Sequence, residues 1–168
     1  MSTETATQLY RLASDQGLAD VWWKSGRAIV KAGPAETGNA FSQLVMDEPR
    51  GSGTPIHIHH NEDETFYILE GQVTMVSGDE RIDLEAGDYF FVPRGVVHAY
   101  LVRSERARML VTITPSGTEQ LMVSLGVPVT GSEPPTEVVM PPMPELVRLF
   151  AAYGTEILGP PPSLDDLS

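Results

Sequence analysis

The sequence contains no cysteine. That absence excludes disulfides, thiolate metal ligands, iron–sulfur clusters and cysteine nucleophiles together. Basic residues are scarce: 11 Lys and Arg stand against 23 Asp and Glu, a formal charge of −12. A surface this acidic repels phosphate backbones, so nucleic acid is not expected as a partner. Long hydrophobic runs are missing, and no stretch approaches the ~18 apolar residues of a membrane span. Met1 to Leu9 carry neither a basic segment nor an apolar one. No secretory signal is read there, and a cytoplasmic location without a membrane partner is expected. Aromatic residues make up only 7%, but a hydrophobic share of 41% suffices for one core in 168 residues.

Turn chemistry is abundant, with 15 Gly and 14 Pro. From Val21 to Pro115, short apolar stretches alternate with Gly and Pro breaks. The stretches are Arg27 to Lys31, Phe41 to Met46, Thr65 to Leu69, Val73 to Ser77, Tyr89 to Val92, His98 to Val102 and Met109 to Thr114. Short strands at such spacing predict an all-β sandwich or barrel. Residues 1–20 read as an N-terminal arm, 21–117 as the strand-rich domain, 118–158 as a C-terminal extension and 159–168 as a frayed tail. Within the extension, Thr118 to Leu125 suits a short helix. Pro128 to Pro144 reads as an extended linker, and a second helix opens at Pro144-Glu145. Leu146, Leu149, Phe150 and Tyr153 form its apolar stripe. That helix either packs on the domain or serves as a lid or dimer contact.

All four histidines lie in the strand-rich region: His57, His59, His60 and His98. In a strand, alternate side chains share a face. His57 and His59 therefore point the same way, with Cα atoms ~6.5 Å apart at ~3.3 Å per residue. That separation lets two imidazoles lean onto one metal ion. His60 falls on the other face. Glu64 opens the next strand, and Phe66 and Ile68 share its side. Asp63 competes with Glu64 as the carboxylate ligand if the intervening loop is short, while the run Glu62-Asp63-Glu64 alone reads as a solvated loop. His98 follows a Pro-Arg-Gly turn, with Tyr100 and Val102 on its face. Phe66, Ile68 and Tyr100 read as core residues that could also line a pocket.

Two spacings go further. Gly51, His57, His59, Glu64 and Gly71 fit G-x5-H-x-H-x4-E-x6-G, and Gly87, Pro93, Gly95 and His98 fit G-x5-P-x-G-x2-H. In this order they resemble the two motifs of the cupin superfamily, with the short intermotif gap of single-domain members. The second motif usually continues to an Asn four residues after its His; Val102 stands there. The wider pattern is similar to single-domain cupins described as quercetin 2,3-dioxygenase-like. The resemblance implies a double-stranded β-helix, or jelly-roll, barrel over 21–117 with short flanking helices at the C-terminus. It also implies His57, His59, Glu64 and His98 around one divalent transition metal.

Oxygen and nitrogen donors without thiolate suit Fe, Mn, Ni, Co, Cu or Zn equally. The function expected from the resemblance is a metal-dependent dioxygenase. Its substrate would be a flavonol-like aromatic or enolic small molecule, with O2 as co-substrate. Glu64 would be the proton acceptor, and Phe66, Ile68 and Tyr100 the substrate wall. The alternatives are a metal-dependent isomerase, epimerase or cyclase acting on a carbonyl compound without O2, and a non-catalytic ligand-binding cupin. A homodimer is expected on the same basis.

Overall fold

The computed structural model describes residues 8–131, 133, 135 and 138–165. Residues 1–7 of the expected arm and 166–168 of the expected tail lie outside these. In chain order the elements are β1 (Ala19–Trp23), β2 (Gly26–Ala32), α1 (Pro34–Thr37), β3 (Ser42–Pro49), β4 (Ile56–His59), β5 (Asp63–Glu70), β6 (Gln72–Ser77), β7 (Glu80–Glu85), β8 (Tyr89–Val92), β9 (Ala99–Val102) and β10 (Arg106–Thr114). They continue with α2 (Thr118–Leu125), β11 (Val127–Pro128), α3 (Met143–Ala152) and β12 (Thr155–Gly159).

Period-two alternation builds the main sheet. In β10, Ala107, Met109, Val111 and Ile113 are buried while the residues between them are not. On β5, Glu64, Phe66 and Ile68 turn inward and Tyr67 and Leu69 outward. The seven strands run in the order β11-β1-β2-β3-β10-β5-β8. Their inward faces, with Trp23, Leu44, Met46, Phe66, Met109 and Val111 among them, form the hydrophobic core. A three-stranded sheet, β7-β6-β9, contributes Val73, Met75, Tyr100 and Val102 to the same core.

The expectation of a closed jelly-roll barrel is corrected by this topology. Among the described residues the strands fall into sheets of seven, two and three, and no sheet closes on itself. The fold is cupin-like, with several β-sheets and short helices. Two local features keep the sheets apart. β8 has four residues and stops at Pro93, which has no N–H to extend a ladder. β4 also has four residues, and its ladder partner is β12, with Ile157 opposite His57 and Thr155 opposite His59. Between β4 and the β9 segment there are only isolated bridges, Gly53 to Leu101 and His57 to His98.

The two expected helices are present, and α1 (Pro34–Thr37) is one that the sequence reading did not expect. α2 occupies Thr118–Leu125, and α3 begins one residue before Pro144. Phe150 from α3 meets Trp23 edge-on, with ring centroids 6.4 Å apart. The chain then turns at Gly154, where φ is +78° and a Cβ would come within 2.2 Å of the Asn61 side chain. Only glycine fits that close left-handed turn, and the turn aims β12 along β4.

Candidate metal centre

His57 and His59 stand two residues apart on β4, so the strand pleat directs both to one side. Glu64 is the second residue of β5, reached through the loop at 60–62. His98 lies just before β9 and is bridged to His57 by two backbone hydrogen bonds of 2.9 and 3.0 Å. A backbone hydrogen bond from Gly95 N–H to the His59 carbonyl, 2.8 Å, ties the preceding turn to β4. The result is one cluster of His57, His59, Glu64 and His98, with a ligand atom from each lying within 4.8 Å of the others.

The imidazoles are oriented by their outer nitrogens. His57 Nδ1 donates to the Pro55 carbonyl at 2.7 Å, and His98 Nδ1 donates to the Val96 carbonyl at 3.0 Å. A carbonyl only accepts, so both rings carry their proton on Nδ1 and present a bare Nε2 to the centre. His59 Nδ1 faces Glu62 Oε2 at 3.1 Å and the Thr155 hydroxyl at 3.0 Å. On the inner side, His57 Nε2 and His59 Nε2 are 3.1 Å apart. Glu64 Oε2 lies 3.1 Å from His98 Nε2 and 3.5 Å from His59 Nε2. Facing nitrogen lone pairs at this distance repel unless a cation sits among them. A proton on His59 meets that need in the metal-free protein, and a divalent transition metal meets it with all four donors. The donor set therefore fits one such ion.

The charges follow this geometry. Burial, with the neighbouring His98 adding to it, pushes the His57 pKa down to about 4. Burial pulls the same way on His59, but hydrogen bonds to Glu62 and Glu64 overcome it and hold that imidazole at about 9. Burial alone would raise Glu64; the protonated His59 imidazole beside it, with the His98 ring also close, instead holds its carboxyl well below the usual range.

The remaining candidates separate clearly. His60 points outward, with Glu156 Oε2 2.9 Å from its Nε2. Asp63, the competing carboxylate, faces away and pairs with Arg94 at 2.9 Å. Tyr100 lines a cavity that also takes in His57, His59 and Glu64, with Trp23, Met46, Ile113, Phe150 and Ile157 in its apolar wall. Phe66 and Ile68 have the inward direction expected of them, but both are wholly buried and neither lines that cavity. Phe66 instead backs the Tyr100 ring edge-on, with centroids 5.8 Å apart.

Three residues of the site escaped the sequence reading. Glu62 is buried rather than solvated. Besides facing His59, it accepts hydrogen bonds from the Thr118 N–H at 2.9 Å and from the Thr118 hydroxyl. It thus also receives the first turn of α2, where a negative charge is favourable. Thr118 and Thr155 hydroxyls meet at 3.2 Å. The one local signal was Glu62 standing three residues after His59. Nothing local marks Thr155, which is 96 residues from its partner.

The cupin domain family matches residues 43–113. The quercetin 2,3-dioxygenase of Bacillus subtilis (strain 168) is 33% identical over 108 residues, covering 64% of this chain and 32% of that protein. The chain spans about a third of the length of the quercetin dioxygenases it matches. An uncharacterized protein of Aquifex aeolicus (strain VF5) is 35% identical over 92 residues, 54% of this chain and 74% of that one. In fold, the chain is similar to the polyketide cyclase RemF from Streptomyces resistomycificus, with a TM-score of 0.57 and 20% identity over 65% of this chain and 81% of the other. With both histidine motifs converging on one cluster inside a cupin-like arrangement of sheets, the chain belongs to the cupin superfamily.

Proposed function

We propose that the protein is a metal-dependent dioxygenase of a flavonol-like aromatic or enolic small molecule. One observation carries this reading: three members of the donor cluster, His57, His59 and Glu64, open onto a cavity whose other walls are largely apolar. Similarity to two quercetin 2,3-dioxygenases supports the reaction class. When bound, a divalent metal supplies Lewis acidity here, and a redox-active one also exchanges electrons. The protein's own groups do the rest. His57, His59 and His98 would hold the ion with their Nε2 atoms and Glu64 with a carboxylate oxygen. Glu64, as a loosely held ionised ligand, accepts the proton of the substrate hydroxyl. Tyr100, Trp23 and Phe150 exclude water and flank a flat ring.

Elemental analysis of the purified protein, followed by O2 uptake with flavonols after each divalent metal is restored, tests this reading. Uptake is expected only in the metal-loaded protein and is expected to vanish in His57→Ala. Uptake unchanged in that variant would overturn the proposal. Turnover under strict anaerobiosis would replace it with an isomerase, epimerase or cyclase reading. Tight ligand binding without turnover would leave a binding protein.

A further inference from the structure

The cavity carries one more polar group that the donor cluster does not use. On β3, Leu44, Met46 and Glu48 share the buried face, so a carboxyl group follows two apolar side chains into the interior. Glu48 is only 5% exposed and lines the cavity. Its stem is fixed by the chain at Gly26, where a Cβ would come within 2.6 Å of Glu48 Cγ. Tyr100 and Lys24 line the same cavity. Glu48 Oε2 nevertheless has no hydrogen-bond partner. A buried carboxyl oxygen without a partner costs stability, and a fold retains one where something else repays it.

β10 sets Glu48 and the donor cluster at different levels of the cavity. Glu64 sits opposite Ile113, whereas Glu48 sits opposite Ala107. Tyr100 lines the same cavity and feels both carboxyl groups. We infer that the cavity takes a ligand with two polar ends, one oxygen directed to the donor cluster and a distal hydroxyl received by Glu48. The inference rests on the flavonol-like reading above and narrows it to substrates hydroxylated on the ring far from the metal-binding oxygen. The groups facing Glu48 suit that role. Burial pushes its pKa up to about 7, against the Tyr100 hydroxyl and the Lys24 charge, with Asp47 adding to the rise. Near neutrality Glu48 can therefore both donate and accept.

The test is binding, not turnover. Zinc-loaded protein, which has no redox chemistry, is titrated under argon with galangin and kaempferol. These flavonols differ by one hydroxyl on the distal ring. Wild-type protein is expected to prefer kaempferol by about ten-fold, the worth of one good hydrogen bond. Glu48→Leu is expected to bring the two flavonols to within about two-fold of each other, and Glu48→Gln, which keeps an acceptor oxygen, to retain part of the preference. If Glu48→Leu does not fold, Glu48→Met replaces it, being close in size and equally unable to hydrogen-bond. No preference in wild type, an undiminished preference without the carboxyl group, or no binding of either flavonol overturns the inference. The dioxygenase reading falls separately, on O2 uptake with a redox-active metal.

Discussion

His57 and His98 are held differently from His59. Each of the first two gives its Nδ1 proton to the carbonyl two residues earlier in its own segment. Their tautomer is therefore fixed as soon as the local backbone forms. His59 relies on side chains from three other places: Glu62 in the 60–62 loop, Thr155 on β12, and Thr118 on α2, which holds both of them. One part of the cluster is self-contained, and the other is assembled by the tertiary fold. The pair supplies donors oriented by their own backbone, whereas the His59 corner carries the charge that the fold sets.

The largest effect should come from breaking the self-contained pair. His57→Ala removes a donor that nothing else replaces. Metal affinity, measured against a competing chelator, should fall by more than the ~100-fold upper range of an outer-partner loss. Next comes pH. In the metal-free protein His59 keeps a proton to about 9, and a metal must displace it. Affinity should therefore rise about ten-fold per unit from pH 6 to about pH 9, then level off. His57, at about 4, adds no slope in that window. A profile that levels near pH 6.5 would show that His59 is not the protonated member.

Glu62→Gln sharpens the contrast further. It leaves the local pair untouched but loosens His59, so affinity should drop by about 10–100-fold. Loss of the carboxylate that stabilises the imidazolium should also move the levelling point of the pH profile below 9. Titrations of the variant at several pH values read both effects. Thr155→Val should be the mildest, lowering affinity by about ten-fold at most, because Glu62 remains. An effect of Thr155→Val as large as that of Glu62→Gln would mean that the hydroxyl, not the carboxylate, orients the ring.

The same contrast explains what could be read without coordinates. Ligand types, spacing and face on β4 and β5 follow from pleat alternation, which operates over two residues. So do the alternating strands β5 and β10. β7 was invisible because Glu80, Arg81, Asp83 and Glu85 mask its pattern and only Leu84 is buried. Strand β12 was hidden because its partner lies far along the chain. Glu62 looked like one acid in a solvated run, since burial by α2 leaves no mark on the loop sequence. Phe66 and Ile68 show a further limit. Parity along a strand gives the side a residue faces but not whether it reaches a cavity wall, and neither residue lines the cavity. Closure of the sheets was overestimated for a related reason, because motif spacing says nothing of which strand pairs with the free edge of β4.

The pairing of β12 with β4 has a consequence for biosynthesis. Thr155 must pass the ribosome before His59 can be clamped, long after the histidines themselves have emerged. A nascent chain therefore presents His57, His59 and His98 before the strand that clamps His59 has been made.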